Sequence, residues 1–343
     1  MTLTRTVLVP SNEAEWLSFR EKDITSTEAA ALFGVGAYCK TPYELYHRKT
    51  GRVADDFEGN ERTRWGNRLE APIAYGIAED LGLVVEPFKT YMRIEEARVG
   101  ASFDFRITGL ADNYSGDETY RDLFRQHGVG IMEVKNIDGL QFKRAWLDDG
   151  ETIEAPVHIE FQVQHQLEVA DLNWSIIAPL VGGNTPRPIF RLRDRATGEA
   201  IIQKATLLWQ QIGAGIAPAP DFTKDGDTIA EVYRDNDGSS ADLSGNARFA
   251  ELCRAYKAAG ADEKAAGERK KAAKAELLTI VKAAKVAVGN GCKVSAGTRE
   301  PSFRAYYRDT FEKMTVTLTE IPGKQIEADV PAYRDMRVSS EAA

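Results

Sequence analysis

Cysteine and histidine are scarce in this chain, long apolar runs are missing, and so is any excess of positive charge. The three cysteines, Cys39, Cys253 and Cys292, are odd in number and far apart. That spacing excludes a disulfide framework and the paired-cysteine patterns of structural zinc or iron–sulfur sites. His47, His127, His158 and His165 form no H-x-x-x-H pair, and surface or satisfied-core roles are expected for them. Nowhere do the ~18 consecutive apolar residues of a membrane span occur. The opening MTLTRTVLVPSNEAEW also lacks the apolar stretch of a secretory signal. A cytoplasmic protein without membrane contact is the expectation.

Across 343 residues, 44 Lys and Arg face 52 Asp and Glu, a formal charge of −8. Residues 1–222 hold 24 basic against 33 acidic residues (net −9), and residues 223–343 hold 20 against 19 (net +1). Neither part has the overall basicity that marks a general nucleic-acid-binding domain. A polyanionic partner would have to be held by a local patch, by metal ions or by both.

Length suggests two domains at roughly 150 residues each. The turn-rich stretch Pro218–Asp242 marks the change, so residues 1–222 and 223–343 are expected as separate parts. In the first, Asn12–Phe33 reads as two helices with a break at Asp23–Ser26; Thr25 or Ser26 caps the second and Gly34 closes it. Arg62–Leu81, Ile159–Ala170 and Thr197–Ile212 have helical periodicity. Leu83–Phe88, Thr90–Ile94, Val99–Phe105, Gly130–Val134, Ser175–Val181 and Ile189–Leu192 are short β-branched and aromatic runs, expected as strands. The polar stretch Ala111–Gly128 reads as a loop between two of them. In the second part, the Ala-, Lys- and Glu-rich Ala247–Val288 reads as one or two long solvent-facing helices, expected as a helical hairpin, with Gly260 and Gly267 as interruptions. Lys293–Ser295 and Ser302–Tyr307 follow as a terminal β-hairpin.

The run Ile131-Met132-Glu133-Val134-Lys135-Asn136 carries the chemistry. On a strand, Glu133 and Lys135 project to one face and Val134 to the other. Asp104 ends a neighbouring expected strand. Two carboxylates and an ammonium would then converge on a small volume. Hard oxygen ligands of this kind suit magnesium, which keeps several waters and binds through one or two carboxylates plus substrate phosphates. Trp16 and Trp65 are expected in the core. Arg62, Arg64 and Arg68 form either a backbone-contacting cluster or a solvated helix face, and Arg269, Lys270, Lys271 and Lys274 read as a solvated face.

Five blocks in order, over roughly residues 12–215, resemble the YqaJ-like viral recombinase family, the group of phage lambda exonuclease within the PD-(D/E)XK nucleases. They are Trp16–Glu28 (WLSFREKDITSTE), Trp65–Glu70 (WGNRLE), Asp104 in ASFDF, Glu133-Val134-Lys135, and Phe161-Gln162-Val163-Gln164. The resemblance implies an α/β PD-(D/E)XK core, a central mixed β-sheet flanked by helices, with a C-terminal helical extension. It implies Glu70, Asp104, Glu133 and the Val134 carbonyl around Mg2+ (or Mn2+), with Lys135 acting on the attacking water. Gln162 would position the nucleophile or scissile phosphate, while Arg20, Ser26, Thr27 and Gln164 would contact phosphate or DNA. It further implies a 5′-to-3′ exonuclease on double-stranded DNA ends, a single-strand annealing partner, a ring-shaped homotrimer and a phage or prophage origin in a bacterial cytoplasm. The chain has Phe103-Asp104-Phe105 where the family commonly has Pro-Asp-Gly, which leaves Asp112 as a second candidate ligand. Two other readings keep the same core: an endonuclease or RecB- or Cas4-like nuclease, and a non-catalytic DNA-binding protein.

Overall fold

Alternation of apolar residues in the first part of the chain builds two sheets, and their helices are placed by where each sheet needs covering. The structure is a computed structural model that describes residues 3–54, 59–149, 152–299 and 333–340. It divides into two units, Met1–Asp237 and Gly238–Ala343.

The first unit opens with β1 (Arg5–Leu8), α1 (Glu13–Glu21) and β2 (Ile24–Thr25). A single 3-10 turn (Ala29–Phe33) follows where a second full helix was expected, because Gly34 adopts a left-handed φ of +72° and stops it after five residues. Next come α2 (Pro42–Lys49), α3 (Glu61–Asp80), β3 (Leu83–Pro87), β4 (Tyr91–Ile94), β5 (Val99–Ser102) and β6 (Phe105–Leu110). The expected loop Ala111–Gly128 contains a helix, α4 (Thr119–His127). Its few apolar residues, Tyr120, Leu123 and Phe124, fall at i, i+3 and i+4 and pack on the sheet.

Then follow β7 (Gly130–Ile137), α5 (Gly139–Ala145), β8 (Leu147–Asp148), β9 (Ile153–Glu154), α6 (Val157–Ala170) and β10 (Trp174–Val181). The unit closes with β11 (Thr185–Pro186), β12 (Ile189–Leu192), α7 (Arg195–Ala214) and α8 (Gly226–Val232).

The smaller sheet has the order β1-β4-β5-β2; the larger runs β11-β10-β7-β6-β3, with β12 also on β10. The larger sheet is mixed: β7 and β10 are parallel, and its other pairs are antiparallel. Both faces are covered. Ile131 and Ile137 of β7 and Ile177 of β10 point into one core with Ile159, Val163 and Leu167 of α6 and Ile201 of α7. Met132, Val134, Ile176 and Ala178 point into the other, against Ile73, Ala74 and Ile77 of α3. This is the expected α/β architecture, a mixed sheet between helices. Burial on both faces explains why β10 (WSIIAPLV) reads as a continuous apolar run.

In the second unit, the expected helical hairpin is one helix, α9 (Ala247–Val281). Glycine in a helix costs about 1 kcal/mol against alanine, and the surrounding Ala, Lys and Glu carry the helix through Gly260 and Gly267. Then β13 (Val286–Gly289) and β14 (Cys292–Arg299) form a hairpin across Asn290-Gly291, both at positive φ. A third strand, β15 (Tyr333–Ser340), pairs antiparallel with β14. The expected strand Ser302–Tyr307 lies outside the described residues. No helix among the described residues is long and apolar enough to cross a membrane.

Candidate active site

The register of the central sheet leaves β7 half uncovered. β6 pairs with β7 only from Phe105↔Met132 back to Ile107↔Gly130. Beyond Met132 the strand keeps β10 on one side and has Asp104 on the other, one residue before β6 begins. There the Val134 N–H donates to Asp104 Oδ2 at 2.8 Å, so a carboxylate caps the strand where a ladder carbonyl would otherwise stand. A residue's N–H and C=O point the same way in an extended strand, and the Val134 carbonyl therefore faces this opening as well.

Strand alternation sends Glu133 and Lys135 to the α6 face. Glu133 is 4% exposed, and its carboxylate is fully engaged. Oε1 accepts from Lys135 Nζ at 2.6 Å and Gln162 Nε2 at 2.5 Å, and Oε2 accepts from Gln166 Nε2 at 2.7 Å. Lys135 Nζ donates a second bond to Gln162 Oε1 at 3.2 Å. Gln162 and Gln166 are i and i+4 on α6, one above the other on the same face. Gln164 lies between them and turns away: its amide donates to the Leu192 carbonyl at 2.9 Å and accepts from the Asp194 N–H at 2.7 Å. It holds the β12–α7 connection and does not join the acidic cluster. Gln166, absent from the sequence expectation, joins Gln162 on Glu133, and the i,i+4 spacing is the signal that selects it.

The electrostatics tie the opposite helix to the same point. Burial raises the Glu70 carboxyl above its ordinary range, and Glu133 adds to the rise while Lys135 opposes it. Asp104 is pushed well up by burial and by Glu133, against the pull of Lys135 and the Val134 N–H. For Lys135, burial works against the ammonium, yet Glu133, Asp104 and Glu70 outweigh it and hold the group above the usual lysine range. Nearby His158 is pushed down by burial and by Lys135. Glu133 thus bonds the one ammonium, and Glu70 and Asp104 feel its charge. Asp112 stands apart, exposed beyond the far end of β6.

Among the described residues, no three of His, Cys, Asp and Glu are gathered at ligating distance. Magnesium, however, uses one or two carboxylates and takes its other oxygens from water and phosphate. Asp104, Glu133 and the Val134 carbonyl fit that demand: all are hard oxygen donors, in a cluster short of positive charge. Soft-metal chemistry has no thiolate here to use.

Of the other expected contacts, Arg20 and Thr27 are linked to this cluster through Trp16, Ser102 and Gln166. Gln166 Nε2 also donates to the Ser102 carbonyl at 3.1 Å, and Ser102 Oγ accepts from Trp16 Nε1 at 2.8 Å. The Arg20 guanidinium lies 4.6 Å over the Trp16 ring and reaches Thr27 Oγ1 at 3.5 Å. Ser26 is buried at 4% exposure behind exposed Thr27. Beside them the Thr25 N–H and Oγ1 both donate to Glu28 Oε2, at 2.8 and 2.9 Å; Glu28, and not the expected Thr25 or Ser26, stands at the start of the 3-10 turn, and no side chain caps it. Trp16, expected in the core, is half-buried and belongs to none of the core clusters. Trp65, also expected in the core, is 47% exposed: on α3 it falls at the edge of the apolar stripe, clear of the sheet.

The sequence profile of the YqaJ-like viral recombinase domain matches residues 15–173. An uncharacterized protein YqaJ of Bacillus subtilis (strain 168) is 28% identical over 222 residues, 64% of this chain and 61% of that protein. The chain therefore spans less than two thirds of that relative's length. Among solved structures, the fold is similar to an alkaline exonuclease (LHK-Exo) from Laribacter hongkongensis, with a TM-score of 0.45 and 17% identity over 63% of this chain and 99% of that one. A phage related exonuclease from Haemophilus somnus 129PT matches with a TM-score of 0.34 and 13% identity, over 60% of this chain and 90% of that one.

Proposed function

We propose that this chain, whose residues 15–173 carry a YqaJ-like viral recombinase domain, is a divalent-metal-dependent deoxyribonuclease that digests double-stranded DNA from its 5′ ends and leaves 3′ overhangs. The observation that carries the reading is Asp104 at the fork of β6 and β7, beside Glu133 and Lys135 on one strand. Asp104, Glu133 and the Val134 carbonyl would hold Mg2+ or Mn2+, with Glu70 facing them from α3; the bound ion supplies charge neutralisation and a more acidic water.

The chain's own groups do the rest. Lys135 is held as a cation, so it orients the attacking water and offsets phosphate charge as a hydrogen-bond donor. Gln162 bonds both Glu133 and Lys135 and fixes their separation. Gln166 anchors the far oxygen of Glu133 to β5. Arg20, with Thr27 beside it, offers a cation and a hydroxyl to a terminal 5′ phosphate. The 5′ polarity, a single-strand annealing partner and a homotrimeric ring rest on the family resemblance.

The test is digestion of linear duplex with and without magnesium, by wild type and Lys135→Ala. Wild type should digest 5′-phosphorylated ends faster than 5′-hydroxyl ends and leave closed circles intact. Lys135→Ala should lose about 10²–10⁴ in rate while still binding DNA. Cleavage of closed circles would make the enzyme an endonuclease. Unchanged activity in Lys135→Ala would overturn the site.

A further inference from the structure

The N-terminal half of α3 carries an aromatic side chain that the core does not use. Trp65 is 47% exposed, and Arg68 lies over its ring at 5.3 Å. The two other arginines of this stretch are already paired. Arg62 bonds Asp138 at 2.7 Å and Gln141, and Arg64 bonds Glu61. Arg68, among the described residues, has no carboxylate partner; its contact is the indole. Trp65 also lines a groove of about 560 Å³ together with Asn136, Gly182, Gly183 and the ion-paired Glu61, Arg62 and Asp138, whose acids are already neutralised by Arg64 and Arg62. That groove sits at the carboxyl ends of the parallel strands β7 and β10, where ligands bind in open α/β sheets. Gly182 and Gly183 present bare backbone there. Asn136 follows Lys135 directly, and Glu70 lies five residues from Trp65 on the same helix, a rise of about 7.5 Å.

We propose that Trp65, backed by Arg68, is a stacking platform for an unpaired nucleobase of the DNA strand entering the site along this groove. Every base has a π-face, so stacking on an indole is tolerant of sequence, and an adjacent guanidinium adds cation–π attraction and a charge for the neighbouring phosphate. A cation with no carboxylate partner among the described residues and an exposed ring complement an anionic strand, whereas an apolar protein partner would not pair Arg68. The proposal rests on the nuclease reading for its substrate, but its test does not require cleavage.

The experiment measures binding of a fluorescein-labelled DNA with a single-stranded end to the full chain, with magnesium omitted so that nothing is cut. Wild type is compared with Trp65→Ala, Trp65→Phe and Arg68→Gln. Trp65→Ala should weaken binding by about tenfold or more, Trp65→Phe should restore most of it, and Arg68→Gln should fall between. Tryptophan fluorescence should be quenched by the DNA in wild type and in Lys135→Ala, and much less in Trp65→Ala. Equal affinity of Trp65→Ala and wild type would overturn the platform, as would an equal loss for blunt duplex without unpaired bases, or tighter binding of RNA than of DNA. If Lys135→Ala proves as active as wild type while Trp65→Ala still loses affinity, the catalytic reading fails and the platform stands.

Discussion

Glu133 accepts three side-chain N–H groups while almost wholly buried, and few surface residues are so constrained. Its direction was legible, because strand alternation alone puts Glu133 and Lys135 on one face. Its partners were half legible. Gln162 came from the Q-x-Q block, whose Gln164 was expected on phosphate or DNA, and only helical spacing brings in Gln166. Asp104 is a different case, since a two-residue break between β5 and β6 is not visible as periodicity. Burial and Glu133 raise its carboxyl, so the folded state binds this proton more tightly than the unfolded chain does. Its contribution to stability is therefore fully present below the unfolded value of about 3.9 and is lost as pH rises through the raised folded value. Asp104→Asn keeps an oxygen for the Val134 N–H and removes the charge. Thermal melts without divalent metal should show it level with wild type in acid and more stable at mildly alkaline pH. Equal melts across that range would show that Asp104 carries no such strain.

Strands and helices followed their apolar patterns wherever a face is buried, which is why β3, β4, β10 and α3 match the expected segments closely, whereas β6 was not expected as a strand of its own and β7 runs three residues past Val134. The exceptions have local causes. The 3-10 turn ends at Gly34 before a second turn of helix can form. Helix α4 hides in a polar stretch, because three apolar residues suffice to pin it. Helix α9 ignores two glycines because nothing nearby breaks its hydrogen-bond ladder. The central strand depends on a contact no pattern shows: Gly130 lies against Trp174, and a Cβ there would come within 2.6 Å of the indole. Trp174 is fully buried, and its Nε1 donates to the Gly128 carbonyl at 2.9 Å, so it cannot retreat cheaply. Gly130→Ala should therefore destabilise the first unit by about 1–3 kcal/mol, the usual cost of overpacking a core. Urea unfolding followed by tryptophan fluorescence measures this; a midpoint equal to wild type would mean that the strand has room to shift.

For the molecule as a whole, a net charge of −8 sets the background against which the acidic cluster must be judged. Any salt screens a protein of that charge and relieves self-repulsion, so stabilisation by magnesium is by itself ambiguous. Composition could show that no general basic surface exists; it could not show where the carboxylates are concentrated. Glu133 bonds the Lys135 ammonium, and Glu70 and Asp104 are coupled to the same charge; that local deficit should bind a divalent ion in the folded state alone. At tenfold excess over its dissociation constant, such an ion adds about 1.4 kcal/mol, which for a unit of this size is a rise of roughly 3–6 °C in melting temperature. Magnesium should produce a saturating rise in wild type, beyond that given by sodium chloride at matched ionic strength, and the excess should vanish in Asp104→Asn and in Glu133→Gln. If both variants keep the full magnesium effect, the ion is screening the surface and the carboxylates at the β6–β7 fork do not hold it.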